Sequence, residues 1–380
     1  MAERIRMGMV GGGSGAFIGA VHRLAAEMTG AIDLVAGAFS SDANASRDFG
    51  IELGLDERRS YGSYEQMFEA EAALPENERI QCVSIVTPNN SHADIACMAL
   101  ERGMHVICDK PLAGTLEDAE RVAAAVEKTG LLFGITHTYT GYPLVIEARE
   151  RVRAGELGNI RRIVVIYLQD WLSNEDDTKG SKQATWRTDS SIGGESGAFA
   201  DIGTHAFNLV EFISGQQMTE VAAELKAVVS GRDIDDDGAA MFRMENGASG
   251  LLAASQVCTG AVNGLRIEVY GDKGSLHWAH GAPNSLTIGR RGEPDQVLQP
   301  GNNIGYLSDA AIARCRTPGG HPEGFIEAFS NLYVDFANAV CEFPEPVDNV
   351  CATVGDGVRA MRFVRATISS TNNGSQWTPV

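Results

Sequence analysis

The chain has 380 residues, 44% hydrophobic and 21% charged, the balance of a globular protein long enough for two cores. Its 31 Lys and Arg against 50 Asp and Glu leave a net charge of −19, which opposes nucleic acid and anionic membranes as partners. Seven cysteines without a C-x-x-C pair read as reduced thiols, and the opening MAERIRMGMV lacks an apolar targeting core, so a soluble cytoplasmic protein is expected.

In chain order, residues 5–12 form an apolar strand that runs into a glycine-rich turn, and a helix follows from Phe17 to Met28. Gly11, Gly13 and Ala16 satisfy G-x-G-x-x-A between strand and helix. Without side chains there, backbone N–H groups at a helix start can approach a pyrophosphate; the alternative is a tight turn with no ligand. A second strand, 32–39, ends in Phe39-Ser40-Ser41-Asp42. Dinucleotide folds place an acid for the ribose 2′-hydroxyl at this point. Ser40 stands there and Asp42 lies two residues on, while Arg47 would suit a 2′-phosphate. NAD is favoured and NADP is not excluded.

A helix over 65–73 precedes a buried strand from Val83 that stops at Thr87-Pro88-Asn89, because proline cannot extend the ladder. Ile95, Met98 and Ala99 recur at helical spacing up to Gly103, and the strand from Met104 to Cys108 delivers Asp109-Lys110-Pro111. Thr115 caps an amphipathic helix to Lys128, and 131–135 adds a fifth strand. This alternation predicts a doubly wound parallel sheet, an α/β dinucleotide-binding domain over 1–140. Ligands bind such sheets at the carboxyl ends of strands, where Thr87 to Asn90 and Asp109 to Pro111 fall.

Beyond about residue 145 strand-like runs follow one another at 160–168, 219–230, 239–244, 248–258, 264–270 and 284–289. They predict an α+β domain over 141–380 with an open, mostly antiparallel sheet. Helices are expected near 202–214, 324–342 and 354–369, the last able to pack back on the first domain. The stretches 173–183 and 301–309 read as surface loops. Asp201 and His205 stand four apart in GGESGAFADIGTHAFN and would share a helix face. Histidine titrates near neutrality and suits proton transfer; a helix cap and a core histidine are the alternative. His137, Tyr139 and Tyr142 occupy the crossover between domains, while Trp171, Trp186 and Arg187 flank a polar loop. Trp suits the apolar face of a sugar and Arg an anionic substituent. His277 and His280 flank Trp278 without a third ligand at a telling spacing, so no metal is expected.

Two linked blocks carry a family resemblance. Val83, Ile85, Thr87, Pro88, Asn89 and His92 match V-x-I-x-T-P-N-x-x-H. Gly103, His105, Val106, Lys110, Pro111, Leu112 and Ala113 match G-x-H-V-x-x-E-K-P-L-A, with Asp109 in place of glutamate. Asp201, Gly203 and His205 add D-x-G-x-H. Over nearly its whole length the chain resembles the Gfo/Idh/MocA oxidoreductases, NAD(P)-dependent sugar and cyclitol dehydrogenases.

The resemblance implies a Rossmann domain and a second domain whose sheet builds a homodimer or homotetramer. It implies nucleotide contacts from Gly11, Gly13, Ala16, Phe17, Ile18, Ser40, Thr87, Pro88, Asn89, His92, Asp109 and Lys110. Lys110 would face the substrate hydroxyl, His205 take its proton and Asp201 orient the pair. A hydride would pass between nicotinamide and a secondary hydroxyl of a sugar, glycoside or cyclitol. The departures are extra residues in the glycine turn, Asn208 where relatives often carry aspartate, and the His137–Tyr142 segment. A redox-neutral glycoside hydrolase working by transient oxidation, and a non-enzymatic nucleotide sensor, are the alternative readings.

Overall fold

The computed structural model describes residues 4–174, 190–345 and 351–380. Trp186 and Arg187 lie outside the described residues, as does most of the loop expected over 173–183. The chain divides into two compact units, one of Met1–Thr138 with Phe329–Val358, the other of Tyr139–Ala328 with Arg359–Val380. Among the described residues no helix is long and apolar enough to cross a membrane.

The first unit alternates β1 (Ile5–Gly11), α1 (Phe17–Met28), β2 (Ile32–Ala38), α2 (Ala43–Glu52), α3 (Tyr64–Ala72), β3 (Cys82–Val86), α4 (His92–Glu101), β4 (His105–Cys108), α5 (Leu116–Thr129) and β5 (Phe133–Ile135). β2, β1, β3, β4 and β5 run parallel in that order, and the two-residue strand Ala352–Thr353 joins β5 antiparallel. β3 and β4 are buried along their whole length, as strands covered on both faces require, which is why they read as unbroken apolar runs. α5 begins where expected, with the Thr115 side chain accepting from the Asp118 N–H.

The predicted cut at residue 140 becomes a discontinuous division, because residues 329–358 return to the first unit. The reason is packing. The Phe329 ring lies edge-on to His22 at 4.7 Å, and the Tyr333 hydroxyl bonds His22 and Ser84. Gly134 leaves the space that Cys351 and Phe336 occupy, since a Cβ there would stand 2.8 Å from the Cys351 sulfur.

The second unit contains α6 (Pro143–Arg153), β6 (Ile160–Leu168), α7 (Thr204–Ser214), β7 (Met218–Lys226), β8 (Asp237–Met244), β9 (Ser249–Ser255), β10 (Gly264–Gly271), β11 (Ser275–Ala279), β12 (Leu286–Gly289) and β13 (Gln296–Leu298). Its sheet order is β13-β12-β11-β10-β6-β9-β8-β7, with Thr378–Pro379 added beside β7. Only the β6–β9 pairing is parallel among these described strands. Alternation along β8 puts Ala240, Phe242 and Met244 inward and Ala239, Met241 and Arg243 outward, the one-sided pattern of an antiparallel sheet. α7 packs on β6, β9 and β10, covering the buried face. Two longer helices, α8 (Phe325–Glu342) and α9 (Val354–Asn372), complete the chain.

Candidate active site

The glycine turn after β1 is shaped by contacts that admit no side chain. Gly11 has φ +85°, and a Cβ there would stand 2.8 Å from the Val86 carbonyl oxygen. A Cβ on Gly19 would stand 2.3 Å from Gly12 Cα, so the first turn of α1 lies directly on the loop. Gly13 closes the turn by accepting from the Ala16 N–H at 3.0 Å, and Arg23 Nη1 donates to the Gly12 carbonyl at 2.8 Å. The N-terminus of α1 carries no side-chain cap at Ala16 and no acid in its first turn. Uncapped N–H groups beside a bare glycine turn suit an anion, and the residues present fit the pyrophosphate of NAD.

Around this turn the predicted contacts separate. Phe17 is 68% exposed. Ile18 is partly buried and packs against the apolar cluster of Met9, Phe39 and Val86. Ser40 Oγ accepts from the Asp42 N–H, and the Asp42 carboxylate caps α2 through Asn44 and Ala45. Ser40, not Asp42, therefore stands uncommitted to a helix cap at the end of β2.

At the next strand ends, Thr87 Oγ1 accepts from Ser91, Asn89 is buried and Pro88 exposed. His92 corrects the expected nucleotide contact. Its ring is buried, with one nitrogen 2.8 Å from the Thr87 carbonyl and the other 3.0 Å from the Pro111 carbonyl. Burial pulls its pKa down against these carbonyl contacts. The ring braces the two loops and has no nitrogen left for a ligand.

Asp109 precedes Lys110, and their joint is built from buried polar groups. Thr136 donates to Asp109 Oδ1 at 3.0 Å, and His22 Nε2 stands 3.6 Å away, longer than a hydrogen bond. Burial pushes the Asp109 carboxyl up, but its interactions with His22, Lys110 and His92 outweigh that and hold it below the usual carboxylate range. His22 itself meets Tyr333 at 2.7 Å and Ser84 at 3.3 Å. Sequence reading missed this network; the one polar residue of β3, Ser84, was its only local trace. His137 is 1% exposed, and burial with the nearby Lys110 charge pulls its pKa down to about 3. It is a neutral neighbour of Lys110.

In the second unit Asp201 lies in a single π-helical turn, Phe199–Gly203, that runs directly into α7, whose first turn carries His205. The expectation was one continuous helix; wide turns of this kind recur at functional sites. Asp235 holds the turn in place, accepting from Ser196 Oγ and from the N–H groups of Gly197 and Phe199 at 2.6–2.9 Å. Its signal in the sequence was only an acidic run. His205 is buried, with its ring edge-on to Tyr139 at 5.0 Å. Asp201 Oδ2 accepts from Gln256 Nε2 at 2.7 Å.

Tyr139 and Tyr142 are both 3% exposed. The Tyr139 hydroxyl bonds Tyr167, whereas Tyr142 packs on Tyr139 and Trp278 and is a core residue instead of a substrate contact. Trp171 Nε1 donates to Gln169. Among the described residues no group of His, Cys, Asp and Glu could hold a metal ion.

Comparison with known proteins agrees with this geometry. Residues 5–137 match the oxidoreductase family with an NAD-binding Rossmann fold, and residues 145–277 match the GFO/IDH/MocA C-terminal domain. The uncharacterized oxidoreductase YfiI of Bacillus subtilis is 34% identical, covering 99% of this chain and 97% of that one. The levoglucosan dehydrogenase of Pseudarthrobacter phenanthrenivorans is 29% identical over 75% of this chain and 76% of its own. An inositol dehydrogenase homolog from Azotobacter vinelandii, 35% identical, superposes with a TM-score of 0.93 in its NAD+ complex, covering 100% and 98% of the two chains. Its complex with NADH and myo-inositol gives 0.91 over the same shares. With these matches over the whole chain and a glycine turn built for a dinucleotide, the protein belongs to the Gfo/Idh/MocA family of NAD-dependent oxidoreductases.

Proposed function

We propose that the protein oxidises a secondary hydroxyl of a sugar or cyclitol. The observation that carries this reading is the second-unit site, where a π turn holds Asp201, the first turn of α7 holds His205 and Gln256 anchors the carboxylate. Its similarity to an inositol dehydrogenase homolog crystallised with myo-inositol and to a levoglucosan dehydrogenase supports the substrate class. NAD, when bound, supplies the hydride acceptor. His205 takes the hydroxyl proton on an imidazole nitrogen. Asp201 holds that hydroxyl or the imidazole in line, and the Lys110 ammonium stabilises negative charge growing on oxygen.

The test is turnover of cyclitols, hexoses and anhydrosugars with NAD, followed by nicotinamide absorbance. Accumulating NADH is expected. Lys110→Met and His205→Ala should each lower kcat/KM by roughly 10²–10⁴-fold. Glycoside cleavage without NADH would replace this reading by the redox-neutral hydrolase.

A further inference from the structure

His280 was read only as lacking the partners of a metal site, yet the side-chain hydrogen bonds around it favour one position for its proton. Gln169, Gln256, Asn263 and His280 lie at one end of the larger sheet, where the register aligns Leu168 with Ser255 and Gly264, and Ala279 with Arg266. Trp171 Nε1, a donor that cannot accept, gives its proton to Gln169 Oε1 at 2.9 Å. The Gln169 amide is thereby oriented, and its NH₂ donates to Asn263 Oδ1 at 3.0 Å and to the Tyr167 hydroxyl at 3.3 Å. Asn263 is oriented in turn. Its NH₂ donates to the Tyr139 hydroxyl at 3.3 Å and faces His280 Nδ1 at 3.2 Å. Nδ1 must accept, so a neutral His280 carries its proton on Nε2.

The same ladder reaches the proposed catalytic pair. Gln256 Nε2 donates to Asp201 Oδ2 at 2.7 Å and to Gln169 Oε1 at 3.4 Å. Tyr139 joins the two histidines, its ring edge-on to His205 at 5.0 Å and to His280 at 5.3 Å. His280 is only partly buried, and its Nε2 makes no hydrogen bond among the described residues. Burial pulls its pKa down against the Asn263 backbone carbonyl, which favours the charged ring, and so keeps the ring a neutral donor near pH 7.

We propose that His280 is a specificity-determining residue, whose Nε2–H donates to a second hydroxyl of the polyol being oxidised. This rests on the polyol dehydrogenase reading above. The Asn263–Gln169–Trp171 ladder sets the donor, and Gln256 ties its orientation to Asp201. The site therefore selects polyols by the presence of a hydroxyl remote from the reacting carbon.

Two measurements test it. Imidazole ¹⁵N shifts at neutral pH, assigned with His280→Gln, should show the Nε2–H tautomer, and Asn263→Leu should erase that preference; an Nδ1–H tautomer in the wild type overturns the proposal. Kinetics with NAD, myo-inositol and its monodeoxy analogues form the second arm. His280→Leu should raise KM about 10–100-fold, the cost of leaving a buried substrate hydroxyl without its partner, with kcat changed less than about threefold. That penalty should vanish for the analogue lacking the contacted hydroxyl. His280→Gln, whose amide can accept from Asn263 and donate to substrate, should bring KM back to within about fivefold of wild type. An equal penalty on every analogue, or none, overturns the proposal alone. No NADH from any polyol with the wild type overturns it together with the dehydrogenase reading.

Discussion

Gly19 shows how tightly single residues are bound to the nucleotide turn. Both nearest atoms to a Cβ there are backbone, Gly12 Cα at 2.3 Å and Gly12 O at 2.7 Å, so neither can swing aside. Gly19→Ala should push α1 off the turn, cost about 1–3 kcal/mol and weaken NAD at least about tenfold. Fluorescence titration with NADH beside a melting curve checks both; an unchanged dissociation constant would refute the cradle. Gly11, Gly13 and Ala16 were legible because the motif is local. His92 and Tyr142 were not, since each sits beside motif residues in the chain but faces core or backbone in space. Sequence adjacency selects the segment, while packing selects which side chain faces a ligand.

At the scale of elements, apolar periodicity located α1, β6 and α5 to within a residue or so at each end. α2 and α6 went unread. In α2 the polar start Asp42 was weighed as a ribose ligand and proved to be a cap; α6 follows directly on the His137–Tyr142 segment that was read as a crossover between domains. The link between α3 and its neighbours rests on Glu71, fully buried and held by the Arg59 guanidinium, the Tyr61 hydroxyl and the Ile80 N–H. Removing the cation strands a buried carboxylate. Arg59→Ala should therefore destabilise by about 3–5 kcal/mol, whereas Arg58→Ala, exposed beside Asp56, should leave the melting temperature nearly unchanged. Equal melting temperatures for the two variants would sink this account.

For the whole molecule, buried histidines make stability depend on pH in one direction. Burial pulls His105 down to about 4, and burial with the Lys110 charge pulls His137 down to about 3, from an ordinary 6.5. Both are depressed, so below about pH 6.5 the unfolded chain takes up protons that the native state refuses. Stability from this source is complete above about 6.5, falls toward 4 for His105 and toward 3 for His137, and changes no further below those values. Asp109 acts in the same direction at lower pH, its depressed pKa adding stability that is lost as the carboxylate protonates. The free energy of unfolding should fall steadily from pH 7 to pH 4, by at most about 1.4 kcal/mol per pH unit for each histidine, and the melting temperature with it. His137→Gln should flatten the slope; an identical slope would show that His137 is not the group concerned.

By itself the sequence determined the alternating α/β unit, the antiparallel second sheet and the dinucleotide turn, and it singled out Lys110, Asp201 and His205 as candidates. Each of these is written in short-range periodicity or in a motif of near neighbours. Only the tertiary structure decided that residues 329–358 return to the first unit, that a π turn carries Asp201, and that Trp171, Gln169 and Asn263 orient His280. Gln169, Asn263 and His280 flank the ends of three different strands, far apart in the chain. Donor and acceptor roles pass between them only once the sheet register has brought their ends together.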